Sequence, residues 1–142
     1  MSDSAGAILL IGRIVFAFFF AFAGYRHISG GQQMAEYARG VGFPVPAVAS
    51  WPTGVWLIAA AVSVGAGIWP DIGVLMLIAF LAPAALWFHA FWKSPEDQVQ
   101  TQTQFFWRNA TFIGACIALF GFFTGVGDAL RYTITSALID LT

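Results

Sequence analysis

Four long apolar runs, at residues 5–25, 47–69, 71–92 and 105–127, occupy most of the chain. Each meets the requirement of about 20 predominantly apolar residues for one crossing of a bilayer. The runs are continuous rather than alternating, and backbone amides in hydrocarbon must be bonded internally, so the pattern predicts helices and not barrel strands. The expected fold is all-α, one domain over residues 1–142: a four-transmembrane-helix bundle with a C-terminal amphipathic segment. Little more than Trp69-Pro70-Asp71 separates the second run from the third. That predicts a tight antiparallel hairpin in which Pro70 ends one helix and starts the next.

The segments between the runs are short. In residues 26–46, the stretch Met34-Ala35-Glu36-Tyr37-Ala38-Arg39 predicts a short interfacial helix, closed by Gly40, Gly42, Pro44 and Pro46. Residues 93–104 are conspicuously polar, with Gln98, Gln100, Gln102 and Gln104 in alternation, and read as a solvated loop. In the tail, residues 128–142, Leu130, Ile134, Ala137, Leu138 and Leu141 fall at helical spacing. This predicts a helix lying on the membrane surface or against a neighbour, too short for a fifth crossing. Gly121 and Gly125 have a spacing that suits close helix packing.

Composition supports lipid as the surrounding medium. Charged residues make up 9% of the chain and hydrophobic ones 59%, against about 25% charged in soluble domains. The formal net charge of −1 supplies no basic field for a nucleic-acid partner. Cys116, the single cysteine, excludes an internal disulfide, a CxxC pair and a cysteine-based zinc site, and no metal site is expected. The first run is longer than a signal-peptide core and lacks a basic leader, so it reads as a retained span.

Lys and Arg favour the cytoplasmic side of spanning helices. Loops one and three share a face and carry Arg26, Arg39 and Lys93, with Arg108 just inside the fourth span; the other face has Arg131 among Asp3, Asp71, Asp128 and Asp140. Both termini are therefore expected outside. Alkaline phosphatase fused at Thr142 should be active, and fused within residues 93–104 inactive; the reverse pattern inverts the orientation. Trp51, Trp69, Trp92 and Trp107 lie near span ends, where indole rings favour the head-group level.

Arg13 is the residue that this pattern least expects. It lies eight residues into the first run, roughly 12 Å deep at about 1.5 Å per residue, where an uncompensated guanidinium costs several kcal/mol. Every Asp and Glu falls at a span end or in a loop, so no carboxylate is expected at its depth. Pro83 frees the Ala79 carbonyl four residues earlier, and Ala79 and Ser63 fall close to the same level. Arg13 is accordingly expected to point inward, onto such acceptors or onto a polar ligand group; the alternative is a side chain that snorkels outward and only fixes helix depth. A second polar set, His89, Arg108, Asn109, His27 and Arg26, gathers near the cytoplasmic ends and could line a ligand pocket there. Two histidines on one side raise haem b as a cofactor, but His27 falls past its helix end, which disfavours haem. No Walker loop, HExxH, GxSxG or dinucleotide fingerprint is present.

The run Leu10-Ile11-Gly12-Arg13, the exit Ala23-Gly24-Tyr25-Arg26-His27, the loop Gly40-Val41-Gly42-Phe43-Pro44, the end Phe88-His89-Ala90-Phe91-Trp92 and the opening Phe106-Trp107-Arg108-Asn109 together resemble the DoxX family up to about Gly127. The resemblance implies a small four-helix protein of the bacterial inner membrane. Some members are linked with thiosulfate:quinone oxidoreductase and others with membrane-bound oxidoreductase assemblies that handle oxidative and thiol stress. It implies a redox-linked role, with other membrane or redox proteins as partners alongside membrane lipids; together with the buried Arg13 it leads to the expectation of a quinone or lipid head group held near Arg13 and His89. Arg13, His89 and Asn109 match positions the family usually keeps polar, and Arg108 stands where a lysine is common. Two departures are visible. Where relatives often carry a glutamate in the second span, this chain reads Thr53-Gly54-Val55-Trp56-Leu57-Ile58, and where they tend to have a basic residue after it, Trp69-Pro70-Asp71. The resemblance leaves open a catalytic, quinone-reducing subunit, a non-catalytic accessory subunit and a purely structural one.

Overall fold

The computed structural model describes every residue of the chain except 140 and 142; Asp140, counted above with the outer face, lies outside the described residues. Helix α1 (Asp3–Ser29) starts where the Ser2 hydroxyl accepts from the Ala5 amide and ends at Gly30. It is followed at once by α2 (Gly31–Gly40), the amphipathic helix expected in the first loop, and by a 3₁₀ turn (Pro46–Ala49). Helix α3 (Trp51–Ala66), helix α4 (Pro70–Pro83) and helix α5 (Val99–Val126) complete the bundle. The described residues contain no strand. The segments Asp3–Ser29, Pro70–Lys93 and Val99–Ala129 are long and apolar enough to cross a membrane; α3, with 16 residues, is a shorter apolar helix.

The inward surface of α1 explains the packing. Its buried residues are Gly6, Arg13, Ala17, Phe20 and Gly24, mostly small, while Ile8, Ile11, Val15 and Phe18 face outward and are exposed. Large apolar side chains thus meet lipid, and small ones allow helices to approach, as association between membrane helices requires. The closest approach joins α1 and α3 at Gly24 and Gly54: a Cβ on either would lie 2.7 or 2.6 Å from the other's carbonyl oxygen. Gly121 and Gly125 have no neighbour within 4 Å of a Cβ, so they take no part in close packing. Beyond the glycine contact, Phe20, Leu57, Val64, Val74, Leu77, Leu81, Cys116 and Phe123 form the core.

Helix α1 runs on to Ser29 and takes in His27, expected past its end, and α3 covers only Trp51–Ala66 of the expected 47–69; three further segments differ from expectation, each for a local reason. The third span is divided by Pro83, which lacks a donor and cannot continue the α-helical ladder; a π turn (Ala84–Phe88) and a 3₁₀ turn (Phe91–Lys93) carry the chain onward. The Gln/Thr tract is not a loop, because α5 begins at Val99 and takes up Gln100, Gln102 and Gln104 in its first turns. Beyond a 3₁₀ turn (Gly127–Ala129) that closes α5, the tail forms no helix among its described residues. Instead it runs as an irregular strap over the α3–α4 turn, and Ile134 and Thr135 both donate their amides to the Gly67 carbonyl at 3.0 Å. The Leu138 amide donates to both Asp71 carboxylate oxygens at 3.0 Å, and Ile139 to one at 2.8 Å. A helix would have consumed these donors internally, whereas the strap spends them on acceptors that the short α3 leaves within the bundle. At about 1.5 Å per residue α3 spans about 24 Å, less than the hydrocarbon thickness, and the strap fills the remainder.

The start of the tail lies beside the N-terminus: Arg131 pairs with Asp3 at 2.8 Å and donates to the Met1 carbonyl at 2.8 Å. Pro83→Ala is expected to restore the α-helical hydrogen bond and straighten this segment. It should raise the melting temperature of the purified protein while constricting the cavity described next; an unchanged melting temperature would show that the kink carries no strain.

Candidate functional site

At the end of the bundle remote from the N-terminus, the end of α1, α2, the 3₁₀ turn, the start of α3 and the broken end of α4 line a half-open cavity of about 570 Å³. Its wall is overwhelmingly apolar, with Met34, Phe43, Trp56, Phe80 and Phe88 among the lining residues. Pro83 shapes one side, since Ala79, Pro83 and Ala84 all border the space. The polar groups in the wall are mostly satisfied from within: the Tyr37 hydroxyl donates to the Phe88 carbonyl (3.1 Å), Thr53 Oγ1 to the Val48 carbonyl (2.6 Å) and Trp56 Nε1 to the Met76 carbonyl (2.9 Å).

His27 and His89 both border this cavity. His27 Nδ1 lies 2.6 Å from the Ala49 carbonyl, which can only accept, so Nδ1 carries the hydrogen and Nε2 of the neutral ring has a lone pair. His89 Nδ1 faces Gln102 Oε1 at 2.9 Å, with the same consequence for its Nε2. Each imidazole is thus fixed in orientation from behind and retains one nitrogen without a protein partner among the described residues. Edge-to-face contact of His27 with Phe80 and the tilted packing of His89 on Phe105 hold the rings further.

The remaining polar residues of interest are elsewhere. Arg108 lies with its guanidinium 4.8 Å from the centre of the Phe105 ring, behind His89 rather than in the cavity wall. Asn109 is 4% exposed and its amide nitrogen has no partner among the described residues, but it does not border the cavity either. Arg13 is 14 residues before His27 on the same helix, about 21 Å along its axis, and shares no cavity with His89. It does point inward, being 1% exposed. Its acceptor is the carbonyl of Tyr132 in the strap, not the Ala79 carbonyl and not Ser63, whose hydroxyl donates to the carbonyls of Ile68 and Trp69. Asp71, treated above as a span-end carboxylate, is fully buried beneath the same strap.

Tyr37, Thr53 and Trp56 escaped the sequence reading as wall residues. The amphipathic pattern of α2 was the available signal for Tyr37: a helix bound to an interface must cover something with its apolar face, and here that face covers the cavity.

The DoxX family profile matches residues 8–90, which include Arg13, His27 and His89 and end before α5. Inner membrane protein YphA of Escherichia coli (strain K12) is 26% identical over 112 residues, 79% of this chain and 80% of that protein. No solved structure matches the chain. A profile match over more than half the chain, together with the apolar helices that carry it, makes this a multi-pass inner membrane protein, and the chain belongs to the DoxX family.

Proposed function

We propose that this protein is an accessory subunit of a membrane redox or respiratory assembly, and that it holds the head group of a quinone, or of a lipid of similar shape, in the cavity between His27 and His89. The observation that carries this reading is the cavity itself: apolar, about 570 Å³, and bordered by two histidines each anchored through Nδ1. Small-molecule sites commonly combine an apolar wall with a few fixed polar groups. A quinone ring suits such a wall, and its carbonyl oxygens accept hydrogen bonds. A protonated His27 or His89 would donate from Nε2 to a carbonyl, and a neutral one would accept from a reduced hydroxyl. A bound quinone would supply two-electron, two-proton chemistry; the part of this chain is to orient the ring and to exchange protons at Nε2.

Native purification in mild detergent, followed by mass spectrometry of co-purifying molecules, tests the reading. The expected result is a quinone or a discrete lipid near one per chain together with a protein partner that has a redox centre. Recovery of partner helices with no small molecule would favour a purely structural subunit.

A further inference from the structure

The outer half of the bundle holds a polar cluster that the cavity reading does not use. Arg13 is 1% exposed, its Nη2 donates to the Tyr132 carbonyl, and its Nε and Nη1 have no partner among the described residues. Nη1 lies against Gly67, close enough that a Cβ there would be 2.9 Å away. Asp71, buried under the same strap, is occupied by the Leu138 and Ile139 amides, and the ion pair among the described residues joins Arg131 to Asp3 instead. A guanidinium in a low-dielectric interior requires a counter-charge or a full set of acceptors. Arg13 has one neutral acceptor for five N–H donors.

We propose that Arg13 is the cationic anchor of a second ligand site, for an oxyanion of the carboxylate or phosphate class, and that the C-terminal strap is its displaceable cover. The Tyr132 carbonyl takes one of the positions that an anionic oxygen would take on the guanidinium fork, where charge-assisted, two-pronged bonding is the stronger arrangement. The strap is built to be lifted in one piece. It has no internal helix, Tyr132 sits at a φ of +56° outside the regions side chains prefer, and Ile134 and Leu138 are turned outward at 69% and 63% exposure. Its hold on the bundle is a series of backbone hydrogen bonds to Gly67 and Asp71, Thr135 Oγ1 accepting from the Trp69 amide at 2.7 Å, the Arg131 contacts with Asp3 and Met1, and the packing of Leu130 and Ala137 on the core. Gly67, left-handed at φ +70°, brings no side chain of its own between Arg13 and the turn; Thr133 of the strap fills that space, where a Cβ would meet it at 2.6 Å, so lifting the strap is what opens the ground beside Nη1. The oxyanion enters from the face that carries the N-terminus and the start of the tail, either free in solution or as a lipid head group drawn inward. This site is separate from the His27–His89 cavity, so the two proposals stand or fall independently.

The test uses the full chain in nanodiscs of zwitterionic lipid, titrated by calorimetry with inorganic phosphate and, separately, with octanoate. A parallel arm replaces part of the lipid with phosphatidylglycerol and follows the melting temperature. Saturable binding of either soluble probe that is lost in Arg13→Leu supports a site for free oxyanions; stabilisation by phosphatidylglycerol that is lost in Arg13→Leu supports the same site with a head group as the source. Asp71→Asn, which loosens the cover without touching Arg13, should tighten apparent binding by about tenfold, because the closed strap reduces the competent fraction. Arg13→Lys should bind more weakly than the wild type, and it stands in for Arg13→Leu should that variant not fold. Absence of saturable binding and of lipid stabilisation, or binding that is equal in the Arg13 variants, overturns the proposal, as does unchanged affinity in Asp71→Asn.

Discussion

Gly54→Leu should prevent the protein from accumulating in folded form. A Cβ at position 54 would lie 2.5 Å from Ile28 Cγ1 and 2.6 Å from the Gly24 carbonyl oxygen, and one at position 24 would meet the Gly54 carbonyl at 2.7 Å and Ile28's counterpart on α3, Ile58, at 2.8 Å. The two carbonyl contacts are to backbone across a helix crossing, so the helices themselves must separate. Overpacking a tight interior by even one methyl group typically costs about 1–3 kcal/mol, and a leucine adds three further carbons. Gly54→Ala and Gly24→Ala should therefore yield protein with a lowered melting temperature, and Gly54→Leu little or none. Gly121→Ala and Gly125→Ala, where a Cβ meets nothing within 4 Å, should stay within about 0.5 kcal/mol of the parent. Equal stability of Gly54→Ala and Gly121→Ala, measured by thermal unfolding in one detergent, would contradict the packing described here.

Removal of residues 130–142 is the second change with a large expected effect. It takes away the Tyr132 carbonyl from Arg13, the Ile134 and Thr135 amides from the Gly67 carbonyl, and the Leu138 and Ile139 amides from Asp71. Each buried group left unsatisfied costs about 1–3 kcal/mol, and more when charged, although entry of water into the vacated space offsets part of this. A net loss on the order of several kcal/mol is a large fraction of the stability of a small domain. The truncated chain should still insert, because its helices are intact, but its Trp69 fluorescence should shift to the red and its melting temperature should fall sharply. Thr135→Val, which removes the acceptor of the Trp69 amide and the donor to the Ser136 carbonyl, should show a small fraction of the same loss. A truncated protein that melts like the full chain would remove the strap from any structural account.

The strap also marks where the sequence stops being informative. The four apolar runs are legible because hydrophobic length alone decides a membrane crossing, and the inward direction of Arg13 follows from the energetic penalty of facing lipid. The acceptor of Arg13 is not legible, since it is a backbone carbonyl 119 residues away, and a main-chain group leaves no mark in composition. Helical spacing of Ile134, Ala137, Leu138 and Leu141 points to a helix, yet unmet acceptors at Gly67 and Asp71 outweigh that local preference. Those acceptors exist only because α3 ends short, at a left-handed glycine that reads in the sequence as one more apolar-run glycine. At the other end, His27 and His89 are recognisable as polar residues near one face. That they share a cavity depends on the break at Pro83 and on α2 folding over the gap, both tertiary events. Gly24 and Gly54 are indistinguishable in the sequence from Gly121 and Gly125, because which glycine meets a neighbour is set by helix rotation.

The measurement that bears most directly on the proposed function is a titration of purified, delipidated protein with a short-chain benzoquinone carrying a decyl tail. Trp56, which borders the cavity, reports occupancy through quenching of its fluorescence. Saturable quenching at one quinone per chain is expected, with the affinity lowered by about fivefold to tenfold in His27→Ala and in His89→Ala, in line with about 1 kcal/mol per hydrogen bond. The double variant should bind weakest, with a modest fall in melting temperature because the Ala49 carbonyl and Gln102 each lose a partner. Non-saturable quenching, or an affinity unchanged when both histidines are replaced, would contradict a quinone site in this cavity.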